Sequence, residues 1–250
     1  HIMYVGYRTN REKQRQVSED IWGQVGKLQQ VLEKMSIPTF QISGFEADDI
    51  IGTLSLQATR HKFQVTIVTG DRDMMQLVND QVNLYMPLKG LTDAQVVTAS
   101  EVKDRLGVKP QQVIDYKGLV GDSSDNYPGV AGIGPKTAVQ LLDEFGSFER
   151  IYASLNTSPH PSPNLGEGTK GRGISVGVRQ KLIDGYEGGV LSKQLATIKT
   201  DVPLTLDLHG CQIPDERKMV EVLKELGYKS LIKRAGGKID EDSTRPRLFE

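Results

Sequence analysis

Cysteine is all but missing from this 250-residue chain: Cys211 stands alone. A single thiol excludes an internal disulfide framework and a cysteine-based zinc site, and it fits a reducing compartment. Long apolar runs are missing too. No stretch approaches the roughly 18 residues of a membrane span, and none reads as a signal peptide, so a cytoplasmic protein without a membrane partner is expected. Neither sign of charge is in excess, with 31 basic against 32 acidic residues and a net charge of −1. A nucleic-acid partner therefore cannot be argued from overall charge, only from local patches. With 37% apolar and 25% charged residues, the chain can build one sizeable α/β domain, or a domain and a small lobe. Its beginning is unusual. "HIM" reads as vector-derived, and "YVGYRTNREKQRQ" follows without the apolar strand that usually opens a parallel α/β domain. The expectation is a chain that lacks its natural start.

Hydrophobic periodicity organises the rest. Ser18 can cap a helix that puts Ile21, Val25, Leu28, Leu32 and Met35 on one face and ends before Pro38. A short strand is predicted at Pro38 to Ile42. A second helix follows over Glu46 to Arg60, burying Ala47, Ile50, Ile51, Leu54 and Ala58. Gln64 to Thr69 reads as a strand, Met74 to Val78 as a short helix and Val82 to Met86 as another strand. That alternation predicts parallel βαβ units. After residue 100 the pattern turns helical, with Pro135 to Phe145 delimited by proline at its first position and Gly146 as its stop. Residues 156–177 are rich in Pro, Gly and Ser and read as an inserted loop. A strand over Leu204 to Leu208 and an amphipathic helix over Asp215 to Leu226 precede a polar tail. The predicted segments are a core at 1–115, a helical lobe at 116–200, a strand and helix at 201–236 that return to the core, and a tail at 237–250.

Acids gather at three element ends. "FEADDIIGTL" carries Glu46, Asp48 and Asp49, "VTGDRDMMQL" carries Asp71 and Asp73, and "LVGDSSDN" carries Asp122 and Asp125. Asp71 could simply cap the following helix, with Asp73 a solvated first-turn acid. But the carboxyl end of a parallel strand is where open α/β sheets bind ligands. Carboxylates brought within about 4 Å repel by roughly 4 kcal/mol per pair at a near-surface dielectric, so convergence requires cations. Oxygen-only ligands select hard ions, Mg²⁺ or Mn²⁺. Two such ions about 4 Å apart can clamp the attacking and leaving oxygens of a phosphodiester.

"NYPGVAGIGPKTAVQLL" supplies a complementary feature. Gly129, Gly132 and Gly134 permit a tight hairpin, and the helix from Pro135 turns its positive end and Lys136 toward it. Such a nest binds phosphate without reading base identity. Neither Walker nor Rossmann spacing is present.

With this hairpin following "GDSSDN", the chain resembles the 5′-nuclease superfamily, nearest to the 5′–3′ exonuclease domain of bacterial DNA polymerases I, with flap endonucleases as relatives. The resemblance also runs through "GFEADDIIGTL", "VTGDRDMMQLV" and "LSKQLATIKTDVPL". It implies an α/β fold, a PIN-like parallel-sheet core joined to a helix–three-turn–helix DNA-binding lobe. It also implies cleavage of 5′ flaps and 5′ ends of DNA, RNA primers included, with two Mg²⁺ or Mn²⁺ ions. Carried over, Asp49, Asp71 and Asp73 would lie nearest the metals, with Glu46, Asp48, Asp122 and Asp125 ligating directly or through water. Gly132, Ile133, Gly134, Lys136 and Thr137 would grip the duplex backbone, with K⁺ bound by carbonyls there. "YRTNR" resembles the family's Tyr-Lys-Ala-Asn-Arg, so Arg8 would meet the scissile phosphate and Arg11 a neighbouring one; arginine for lysine at position 8 changes shape and hydration. The family's first metal-binding aspartates would precede His1. The resemblance further implies a nucleoid-associated monomer with a polymerase following in the parent chain. A second reading is a branched-DNA-binding remnant with little or no cleavage. A third, acyl-phosphate chemistry on Asp71 and Asp73, is opposed by the hairpin and by the lack of a suitable preceding strand.

Overall fold

The computed structural model describes residues 6–7, 15–87, 93–157 and 173–235, leaving out the side chains of 15–22 and 157. Arg8 and Arg11, most of the predicted loop and the tail lie outside those residues. Two compact units emerge: His1–Glu12 with Gly44–Leu204, and Lys13–Ser43 with Thr205–Glu250. Residues 44–115 of the predicted core and the helical lobe thus share one unit, whereas residues 13–43 of that core group with the C-terminal helices.

The larger unit is mixed α/β. Its sheet joins β1 (Val65–Val68), β2 (Val82–Pro87) and β3 (Ala94–Val97) in that order. β1 and β2 are parallel, as their separation by a crossover requires; β3 returns antiparallel to β2. The predicted parallel pairing is thus found in β1 and β2, and β3, which the sequence reading did not include, adds an antiparallel strand because the link from β2 is too short for a crossover helix. Between β1 and β2 the chain forms a 3₁₀ turn, Asp73–Leu77, in place of the predicted α-helix. Its Met74 and Met75 are fully buried.

Helices α2 (Ala47–Arg60), α3 (Ala99–Leu106), α4 (Val113–Val120), α5 (Pro135–Phe145), α6 (Phe148–Thr157), α7 (Val176–Asp184) and α8 (Tyr186–Ala196) complete this unit. Ile67, Leu84 and Val97 of the sheet share one continuous core with Val113, Leu119, Leu142, Ile151 and Leu182 of the helices. Sheet and helices are therefore one hydrophobic body. α4 and α8 approach closely at their glycines: a Cβ on Gly118 would meet Lys193 Cβ at 3.0 Å and Gly189 O at 3.3 Å.

The buried face of α2 consists of Ile50, Gly52, Thr53 and Ser55. Ala47 is exposed, and Leu54 and Ala58 are only half-buried. The small residues leave room for an extended segment, 196–204. Asp49, Thr53 and Gln57, four apart on one helix face, bond its backbone: Lys199 N–H donates to Asp49 Oδ1 at 2.9 Å, Val202 N–H to Thr53 Oγ1 at 3.2 Å, and Gln57 Nε2 to Leu204 O at 2.8 Å. Gln76 holds the near end through Ala196 O and Ile198 N. The predicted strand over Leu204 to Leu208 does not form: no partner strand pairs with it among the described residues. Thr53→Val should cost about 1–3 kcal/mol in urea denaturation, because the buried Val202 N–H loses its acceptor. Thr53→Ser, which keeps the hydroxyl, should cost far less.

In the smaller unit, α1 (Arg15–Lys34), α9 (Glu216–Glu225) and α10 (Lys229–Arg234) surround Met35, Val222, Leu223 and Ile232. Lys34 pairs with Glu225 at 2.5 Å. Leu28, placed by the periodicity on one face with Val25, Leu32 and Met35, is 57% exposed. Pro38 to Ile42 is not a strand, since it has no pairing partner.

Candidate active site

The turn after β1 and the loop after α4 form opposite walls of one cleft of about 780 Å³, lined by Asp71, Asp73, Tyr116, Lys117, Asp122 and Ser124, among others. Gly70 ends β1 at the cleft. Asp71 N–H then donates to Thr69 Oγ1, and Asp71 Oδ1 accepts from Asp73 N–H at 2.9 Å. This Asx turn fixes Asp71 beside Asp73, while the cap position of the 3₁₀ helix is Arg72 and carries no side-chain cap bond, so Asp71 is not the helix cap of the alternative reading.

The second wall depends on glycine. Gly121 (φ +74°) and Gly129 (φ +64°) bring the two arms of the loop against each other. Asp122 and Tyr127 exchange both backbone bonds at 3.0 Å, and Val130 N–H reaches Leu119 O at 2.8 Å. Ser192, fully buried, accepts from Gly129 N–H at 2.8 Å. Within the loop, Asp122 Oδ1 accepts from Ser124 N–H at 2.8 Å and from its hydroxyl at 2.5 Å. Asp125 is buried.

Lys117, which the sequence reading did not single out, joins the walls. From α4 its ammonium donates to Asp73 Oδ1 and, at 2.9 Å, to Asp122 Oδ2; its side chain is 11% exposed. Burial is the strongest influence on Asp73 and pushes its carboxyl up. Lys117 pulls it down, and the charges of Asp71 and Asp122 add to the rise. Burial also pushes Asp122 up, but the Ser124 and Lys117 donors outweigh it and hold the carboxyl at about 2, below 3.8. For Lys117 burial works downward, and the two carboxylates reverse it.

Because the folded state favours ionised Asp122, its contribution is complete above about pH 4 and is lost as pH falls toward 2. The shift is worth about 2 kcal/mol at most, less for partial exposure. In EDTA, Asp122→Asn should therefore be about 1–2 kcal/mol less stable than wild type at pH 6. The gap should close between pH 4 and pH 2 in urea melts.

Glu46, Asp48 and Asp49 are not among the residues lining this cleft. Glu46 and Asp49 form a reciprocal capping box at the start of α2, with Glu46 N–H donating to Asp49 Oδ2 at 3.2 Å. Each Asp49 oxygen thus accepts one backbone N–H, which orients the carboxylate and leaves further lone pairs.

The donors facing the cleft are oxygens, the set a hard cation takes. Among the described residues, no three or more His, Cys, Asp or Glu side chains form a ready ligand cage. Two observations nevertheless fit a cation. An ammonium already sits where Asp73 and Asp122 converge. The Tyr127 hydroxyl is buried without a hydrogen-bond partner among the described residues, and the charges of Asp73, Asp122 and Asp125 add to the burial that raises its pKa. A cation's water shell would give that hydroxyl an acceptor.

The hairpin lies in the same unit. Gly132 (φ +79°), Gly134 and Lys136 are exposed and Thr137 half-exposed, while buried Ile133 anchors the turn through its N–H to Val130 O at 3.0 Å. Gly134 caps α5 and Pro135 occupies its first position. Lys181 donates to Gly132 O at 3.2 Å, so Lys181 and Lys136 flank exposed backbone at a helix N-terminus.

Residues 1–107 match the family described as 5'-3' exonuclease, N-terminal resolvase-like domain, and residues 108–219 match 5'-3' exonuclease, C-terminal SAM fold. DNA polymerase I of Bacillus caldotenax is 37% identical over 236 residues, and that of Bacillus subtilis 34% over 238. Each alignment covers 94% of this chain and 25% of the relative, so the chain spans about a quarter of the length of the curated relatives it matches. Among solved structures, a bacteriophage T5 protein co-crystallised with metal ions aligns with a TM-score of 0.61 and 22% identity, covering 92% of this chain and 76% of that one. The phage T5 flap endonuclease complexed with DNA and metal ions gives 0.60 and 21%, covering 92% and 74%. At these identities the likeness concerns the fold.

Proposed function

Because the chain belongs to the 5′–3′ exonuclease family, we infer that it is a structure-selective, metal-dependent nuclease that hydrolyses phosphodiester bonds at 5′ flaps and 5′ ends of DNA, RNA primers included. The observation that carries this reading is the cleft lined by Asp71, Asp73 and Asp122, in which the Lys117 ammonium bridges Asp73 and Asp122. Asp71, Asp73 and Asp122 hold Mg²⁺ or Mn²⁺, with Asp125 acting through water. Glu46, Asp48 and Asp49, at the start of α2, contribute to a second ion. When bound, the two ions would supply a clamp on the attacking and leaving oxygens. These carboxylates would orient that clamp, and its positive charge would offset the repulsion among them.

Gly132 to Thr137 grips the duplex backbone, and Arg8 and Arg11 meet phosphates near the cut. A K⁺ ion at the hairpin would compete with the Lys181 ammonium already on the Gly132 carbonyl. The similarity to DNA polymerases of about four times the length supports a polymerase domain following this one in a parent protein, which we take to be monomeric and nucleoid-associated.

The test is a labelled 5′-flap duplex incubated with the chain in Mg²⁺ or Mn²⁺. Product near the flap junction, abolished by EDTA and falling steeply with salt, is expected. Tight flap binding without product in either metal would instead make the protein a DNA-holding module.

A further inference from the structure

Lys117 is placed oddly for a nuclease site. Its ammonium bridges Asp73 and Asp122, carboxylates from opposite walls of the cleft, at the point where a cation held by both would sit. The stem leaves α4 beside Gly118, whose missing Cβ lets α8 pack there, and the lysine as a whole is 9% exposed. A side chain held this way is a fixed positive charge inside the acidic site.

We propose that Lys117 is a built-in counter-cation that competes with the divalent ion for Asp73 and Asp122. It keeps the metal-free cleft assembled and sets how much divalent ion is needed to load it. This rests on the cleft being the metal site. One positive charge offsets part of the repulsion among three carboxylates, so the walls need no metal to stay together. A divalent ion offers more charge to the same oxygens, but it reaches them only in the arrangement where the ammonium has moved aside. The apparent affinity is reduced by the fraction of molecules in that arrangement. At roughly one molecule in ten, the reduction is about tenfold.

Mn²⁺ binding to the full chain without DNA, followed by calorimetry and by the electron paramagnetic resonance of free Mn²⁺, tests the competition. Lys117→Met should bind Mn²⁺ about tenfold more tightly than wild type. Its metal-free melting temperature should fall and its Mn²⁺-induced rise should exceed that of wild type. Lys117→Arg, which keeps the charge, should stay near wild type on both counts. Lys117→Gln carries the same expectation as Lys117→Met and replaces it if the methionine variant does not fold. Equal or weaker Mn²⁺ affinity in the uncharged variants, with no larger thermal rise, overturns the proposal. Asp73→Asn distinguishes this from failure of the underlying reading. If it leaves wild-type Mn²⁺ affinity unchanged, the cleft is not the metal site, and both the proposal and its premise fall.

Discussion

Gly129→Ala should be among the most damaging single changes in this chain, lowering stability by about 4 kcal/mol or more. Gly129 has φ +64°, and a Cβ there would lie 2.3 Å from Gly121 N and 2.5 Å from Val120 C. The left-handed conformation alone costs a residue bearing a Cβ about 1–2 kcal/mol. The clash is with backbone, which cannot rotate away as a flexible side-chain end would. Relief would require the loop arms to part, breaking the Asp122–Tyr127 pair and the Val130 N–H bond to Leu119 O. Chemical denaturation measures the loss, and it should be accompanied by weaker Mn²⁺ binding, since this loop carries Asp122. A loss below about 1 kcal/mol would mean the arms are not packed this closely.

Asp73→Asn should have the largest effect on chemistry. Losing an outer-shell partner of a metal ligand costs roughly 10–100-fold in activity. Asp73 faces the cleft itself, so a loss on the order of 10³-fold in single-turnover flap cleavage is expected, beyond that outer-shell range. Flap binding should change little, because the hairpin of Gly132 to Lys136 is untouched. Stability is expected to move less than activity. Burial already pushes the Asp73 carboxyl upward, so the site holds its negative charge at some cost, and a neutral amide removes that cost along with the bond to Lys117. Unchanged cleavage would remove Asp73 from the machinery.

Asp73 and Lys117 mark what the sequence discloses and what it hides. Asp73 was legible because a β-branched run ending in Gly-Asp-x-Asp marks the carboxyl end of a strand, and β1 lies as that pattern predicts. Pro135 and Gly146 delimited α5 for an equally local reason. Lys117 was not legible. In "VIDYKGLV" it resembles any helix lysine, and its burial depends on a glycine next to it and on a helix some 70 residues later. The strands predicted at Pro38 to Ile42 and Leu204 to Leu208 failed because alternation specifies a strand only where a partner edge exists. β3 is not legible because four residues give little periodicity to read. Asp49 was legible as an acid at a helix start. Its bond to Lys199 N–H, 150 positions away, was not, since no local pattern encodes an extended segment held by helix side chains.

Anomalous diffraction from crystals soaked in Mn²⁺ tests the central claim most directly. Manganese peaks bounded by the carboxylates of Asp71, Asp73 and Asp122, at about 2.2 Å from at least two of their oxygens, with Lys117 drawn off them, are the predicted result. Manganese bound only elsewhere, with Lys117 still bridging Asp73 and Asp122 at saturating Mn²⁺, would contradict it.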